Sequence, residues 1–114
     1  MRNGILLGVV LVIACTIAGP AKAATCGANN CSGQINTLYV NATGNIYIAM
    51  VGGLSGLTGC TPNVGADYYV TLLPSSGNFN QVYALLLEAE IASRTVSLSF
   101  VAGSSGCTIN YVTS

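Results

Sequence analysis

Four cysteines, Cys26, Cys31, Cys60 and Cys107, follow an N-terminal stretch with the features of an export leader. An even set of cysteines in a small exported domain reads as a disulfide framework. A zinc site would need Cys-x-x-Cys pairs or histidine partners, and the chain has neither. Four cysteines permit three connectivities. The favoured one joins Cys26 to Cys31 across the short Gly-Ala-Asn-Asn loop and Cys60 to Cys107 across distant segments. The long bridge is expected to matter more, since losing a native disulfide from a small secreted domain costs roughly 2–5 kcal/mol. A chain of this size buries a modest core and leans on such staples.

The leader consists of a short basic start, Met1-Arg2-Asn3, and an apolar run from Ile5 to Ile17. Gly19-Pro20 breaks that run, and Ala21-Lys22-Ala23 fits the small-x-small pattern for cleavage after Ala23. The run is short against the roughly 20 residues needed to span a bilayer. Residues 1–23 are therefore expected to be a bacterial secretory signal, and residues 24–114 one secreted or periplasmic domain. An alternative is a lipoprotein, because Val12-Ile13-Ala14-Cys15 resembles a lipobox that would tether the chain to lipid through Cys15.

Beyond the leader, Arg94 stands as the one cation against Asp67, Glu88 and Glu90. Soluble domains are typically about one-quarter charged. Nucleic-acid binding is excluded, since it depends on clustered Lys and Arg against phosphate. Disorder is excluded too, because it goes with low hydrophobicity and high net charge. With little charge to keep copies apart, self-association is expected.

Five strand-like runs and one helical run punctuate the domain. Gln34–Val40 and Ile46–Val51 flank the turn-forming Asn41-Ala42-Thr43-Gly44-Asn45 and read as a hairpin. Alternation in the first run puts Ile35, Thr37 and Tyr39 on one face. Gly52–Gly59 reads as a flexible loop, and Tyr68–Leu73 as a third strand stopped by Pro74. Phe79, Val82, Tyr83, Leu86 and Leu87 then recur at helical spacing, predicting a helix over Phe79–Ser93. Asn78 and Gln81 would form its capping box, and Glu90 and Arg94 an i,i+4 pair. Thr95–Val101 alternates as a fourth strand, and Thr108–Val112 makes a fifth. Three strands, a helix and two strands is the element order of the OB-fold, a five-stranded Greek-key barrel that binds ligands across strands 2–3 and the adjoining loops. The alternative is an α+β arrangement, an antiparallel sheet with one packed helix.

The segments Gly33-Gln34-Ile35, Phe79-Asn80-Gln81-Val82-Tyr83-Ala84-Leu85-Leu86 and Thr95-Val96-Ser97-Leu98 carry a resemblance. Over Gly33 to Val112 the chain is similar in layout to the binding subunits of subtilase cytotoxin and typhoid toxin, and to small exported bacterial proteins of unknown role. The resemblance implies an OB-fold that assembles into a five-membered ring and binds cell-surface glycans. No sugar-contacting residue is carried over from it.

The residues themselves argue against catalysis. There is no histidine for acid–base work, and oxidised cysteines supply no thiolate. Gly53-Leu54-Ser55-Gly56-Leu57 departs from the nucleophile-elbow pattern at its last position, and no base is present to activate Ser55. Glu88 and Glu90, two apart on a helix, diverge rather than converge. The sequon Asn41-Ala42-Thr43 behind a bacterial leader reads as a chance occurrence. No metal or cofactor is called for.

What remains is neutral hydrogen bonding beside aromatic rings, the materials that hold a sugar. Tyr68, next to the loop carrying Pro62, Asn63 and Asp67, is the first candidate contact. Asn41, Thr43 and Asn45 follow, because the first hairpin loop borders the usual OB binding face. Tyr39, Tyr47 and Tyr69 read as partly buried strand residues. The function expected is a non-catalytic module that recognises glycan or protein. The alternatives are a self-assembling fibre or coat protein and an inhibitor or adaptor of another secreted protein.

Overall fold

The computed structural model describes residues 22–65 and 67–114. The apolar run of the leader and the lipobox ending at Cys15 lie outside the described residues. Within them the chain forms β1 (Thr25–Cys26), β2 (Asn30–Gly33), β3 (Ile35–Val40), β4 (Ile46–Met50), β5 (Asn63–Val64), β6 (Tyr68–Leu72), α1 (Phe79–Ile91), β7 (Val96–Phe100) and β8 (Ile109–Thr113). The strands make two four-stranded antiparallel sheets, ordered β1-β2-β7-β8 and β3-β4-β6-β5. Among the described residues the fold is thus mainly β with one helix, and the helix lies between the third and fourth of the five expected strands.

Two open sheets stand where one closed five-stranded barrel was expected. On one side β2 and β3 are nearly continuous through Gln34, so one stretch of chain serves both sheets. On the other side the contact is narrow: parallel bridges join Thr71 to Thr108 and Thr61 to Ser105. There the Thr71 N–H donates to the Cys107 carbonyl at 3.2 Å, and the Gly106 N–H to the Thr61 carbonyl at 2.6 Å. The disulfide Cys60–Cys107 pins the same seam, and Cys26–Cys31 ties β1 to β2. Both pairings are those favoured from the sequence.

The core lies between the sheets. Ile46, Ile48, Met50, Val70 and Leu72 enter from one sheet, and Cys31, Val96, Leu98, Phe100 and Ile109 from the other. Val82, Leu86 and Ala89 enter from α1, which packs against β3 and β8 and so touches both sheets. Each fully buried Leu, Ile or Val contributes about 1.5–3 kcal/mol through removal of apolar surface from water. The glycine-rich segment after β4 is tied down rather than free: Leu54 is buried in the core, and the Gly59 N–H donates to the Ala28 carbonyl.

The ends of the helix differ from expectation. Asn78 makes no side-chain cap; its Nδ2 donates to the Asn110 carbonyl at 3.1 Å, joining the helix start to β8. The helix stops at Ile91 rather than Ser93. Ser93 takes φ 54°, and the Ser93 and Arg94 N–H groups donate back to the Glu90 and Ala89 carbonyls, a Schellman closure without glycine. That turn carries Arg94 away from Glu90. It meets Glu88 instead, at 3.4 Å, with both side chains about half exposed.

Candidate functional site

Register decides which side chains the β3-β4-β6 sheet shows to its surroundings. Simple alternation pairs Ile35 with Thr37 and Tyr39, but the β3–β4 ladder slips between Ile35 and Thr37. The slip is a β-bulge at Asn36, an extra residue that reverses the phase of the strand. Ile35 opposite Met50 and Leu38 opposite Ile48 therefore both face the core, while Thr37 and Tyr39 face outward. Tyr39 lies directly across from Tyr47, and Tyr47 across from Thr71, so Tyr69 and Thr71 of β6 share that outer face.

Three tyrosines meet there. The Tyr39 ring lies 5.3 Å from that of Tyr47 and 5.5 Å from that of Tyr69, edge-on to the latter. These separations are those of favourable aromatic pairs. Tyr39 is 43% exposed, and Tyr47 and Tyr69 are half-buried. The hairpin loop supplies amides at one end of the cluster. Asn41 Nδ2 and Asn45 Nδ2 donate to the Tyr47 hydroxyl at 3.3 and 3.4 Å. Asn41 Oδ1 accepts from the Thr43 N–H, the Thr43 hydroxyl and the Asn45 N–H, at 3.1, 2.8 and 3.0 Å. Such an Asx-type closure fixes the loop from within.

The residues singled out from sequence fall into two groups. Asn41, Thr43 and Asn45 stand beside the tyrosine cluster. Tyr68 stands at the far end of β6, roughly 13 Å along the strand from Leu72 at a 3.3 Å rise per residue, and in phase with Val70 and Leu72 rather than with Tyr69. It borders a separate cleft of about 430 Å³ with Leu54, Ser55, Leu57 and Pro62. Asn63 belongs to the scaffold: its Nδ2 donates to Thr71 Oγ1 at 2.7 Å. A groove of about 330 Å³ is lined by Lys22, Ala23, Ser32 and Gln34, and two of these residues lie on the leader side of the expected cleavage point.

All four cysteines of the domain are in disulfides, and Glu88 is paired with Arg94. Among the described residues no helix is long and apolar enough to cross a membrane. The tyrosine cluster is a candidate site built from residues whose sequence pattern marks them only as partly buried strand positions. Part of its signal was present, because Tyr39 and Tyr47 are equidistant from Thr43 at the centre of the hairpin. Tyr69 needed the β4–β6 pairing, which no local pattern contains.

No protein-family model, no curated protein and no solved structure matches the chain.

Proposed function

We propose that the protein is a secreted, non-catalytic recognition module whose ligand is a glycan, held on the outer face of the β3-β4-β6 sheet. The observation that carries this reading is the meeting of Tyr39, Tyr47 and Tyr69 beside the Asn41–Asn45 loop. A sugar ring offers an apolar C–H face and a rim of hydroxyls, and tyrosine faces beside neutral amides complement both. The path of the chain supports an OB-like reading of the fold. The stretch from Asn30 to Val40 serves both sheets, the helix follows the third expected strand, and β6 meets Thr108, the residue before β8, through a parallel bridge. In that fold the face of strands 2–3 is the binding face, and β4 and β6 hold Tyr47 and Tyr69.

The toxin-subunit resemblance extends the proposal to a homo-oligomeric ring. Leu87 and Ile91 are exposed four residues apart on α1, the latter at 74%, and an apolar stripe on a helix is normally covered. A second reading, a fibre or coat component, draws on β8, where Tyr111 is 54% exposed on a strand without charged side chains. Such edges invite pairing with another chain.

A glycan array, combined with light scattering on the oxidised domain, tests these readings. Glycan binding by a discrete oligomer is the expected result. Binding to a protein but to no glycan would move the ligand class. Filaments of indefinite length without ligand binding would favour the structural reading.

A further inference from the structure

The residues on either side of the expected leader cleavage point lie against the folded domain. The Ala24 N–H donates to the Val51 carbonyl at 2.7 Å, which lays residue 24 along the end of β4. Ala24 is half-buried and packs on the core. It lies over Gly33 so closely that a β-carbon there would come within 2.8 Å of the Ala24 Cα. Ala23 lies over Gly52 in the same way: an added β-carbon would stand 2.6 Å from its Cα, and Gly52 holds φ +80°. Two glycines from separate parts of the chain thus let the backbone of residues 23 and 24 approach closely, Ala24 half-buried and Ala23 exposed on its outer side.

We infer that the Ala23–Ala24 bond is hydrolysed before the domain folds, and that the α-amine released is then held by the Val51 carbonyl as a structural group. The inference rests on residues 1–23 being a leader cleaved at that bond. A peptidase that reads small side chains at Ala21 and Ala23 must reach both, and backbone already paired and packed is protected from cleavage unless it opens. Hydrolysis adds one water: its oxygen completes the Ala23 carboxylate, and a proton goes to the Ala24 nitrogen, which takes up a second at neutral pH. The nitrogen keeps its N–H toward Val51, and the hydrogen bond becomes charge-assisted and stronger. Lys22 is the sole lysine of the sequence and leaves with the leader. The Ala24 α-amine is then the one primary amine of the mature domain, and amine reagents report on it alone.

The full-length precursor, oxidised and folded in detergent, is compared with the same precursor reduced and alkylated, using a purified leader peptidase. Cleavage at Ala23–Ala24 is expected at least about tenfold faster in the alkylated chain, and equal rates would overturn the proposed order of events. On the mature protein, acylation of the amine is expected to be slower by about tenfold in the folded state than in urea. Equal labelling rates would overturn the docking of the amine. A mature chain beginning at lipidated Cys15 would instead overturn the leader reading itself, and intact mass separates that outcome from the other two. Gly33→Val is expected to restore fast labelling; if it does not fold, the urea comparison on the unaltered protein decides.

Discussion

Asn63 Nδ2 donates to Thr71 Oγ1 across 2.7 Å, and the Thr71 hydroxyl donates in turn to the Gly106 carbonyl at 2.9 Å. This polar chain crosses the seam where β6 meets the loop before β8, and Thr71 is only 5% exposed. A buried polar group left without its partner costs far more than an average hydrogen bond contributes. Beside the backbone bonds and the Cys60–Cys107 disulfide, the seam thus holds one buried hydroxyl that accepts and donates at once.

Thr71→Val keeps the shape of the side chain and removes both bonds, leaving the Gly106 carbonyl without its side-chain donor and the Asn63 amide with only its longer bond, 3.4 Å, to the Tyr69 carbonyl. A loss of about 1–3 kcal/mol is expected. Urea unfolding of the oxidised protein measures it, and a loss below about 0.5 kcal/mol would show that the chain is not what holds the seam.

The two disulfides should contribute unequally. Cys60–Cys107 spans 47 residues of sequence and Cys26–Cys31 spans five. By loop-closure entropy, the paired alanine substitutions should cost about 4 and about 2 kcal/mol respectively. Comparing the two double variants by thermal unfolding checks the order; equal losses would mean that native packing, not chain entropy, governs both.

Ser93 closes the helix at φ 54°, a conformation that costs an L-residue about 1–2 kcal/mol and glycine almost nothing. Ser93→Gly is expected to stabilise the domain by about 0.5–1 kcal/mol, after allowance for the extra freedom of glycine in the unfolded chain. The bond from the Gln34 side-chain Nε2 uses only the backbone carbonyl of Ser93 and survives the change. A fall in Tm would contradict this account of the helix end.

Binding separates the two groups of candidate residues. With a glycan in hand from the array, Tyr39→Ala should weaken affinity roughly tenfold, as removal of an aromatic anchor does. Tyr68→Ala, on the opposite face of β6 from its neighbour Tyr69, should change it by less than about twofold. Titration calorimetry on both variants reads the contrast, and the reverse pattern would move the site to the cleft beside Leu54.

Particular residues show why some features were legible and others were not. Val96, Leu98 and Phe100 alternate cleanly and are all buried, because β7 pairs in regular register along most of its length. Ile35, Thr37 and Tyr39 alternate just as cleanly, yet the bulge at Asn36 separates the first from the other two. Nothing in the local pattern distinguishes these cases. β1 and β2 carry little β-propensity in Thr-Cys and Asn-Cys-Ser-Gly; their order comes from the Cys26–Cys31 bond and from pairing with β7. The capping role of Asn78 failed for the same kind of reason, since β8 offers its amide a partner far along the chain.

By itself the sequence determined the properties that rest on residue chemistry and short-range periodicity. These are the lack of any histidine, the near-absence of ionic groups, the first hairpin, the placement of the helix and an even set of cysteines beyond the leader. Tertiary structure alone decided what depends on contacts between distant segments. It set the phase of β3, the meeting of Tyr69 with Tyr39, the use of Asn63 as scaffold, and two sheets joined along a narrow seam. The physical reason is that side-chain phase repeats every two residues, so a single extra residue reverses which face is exposed. Only the partner strand's hydrogen bonds, remote in sequence, determine where that residue falls.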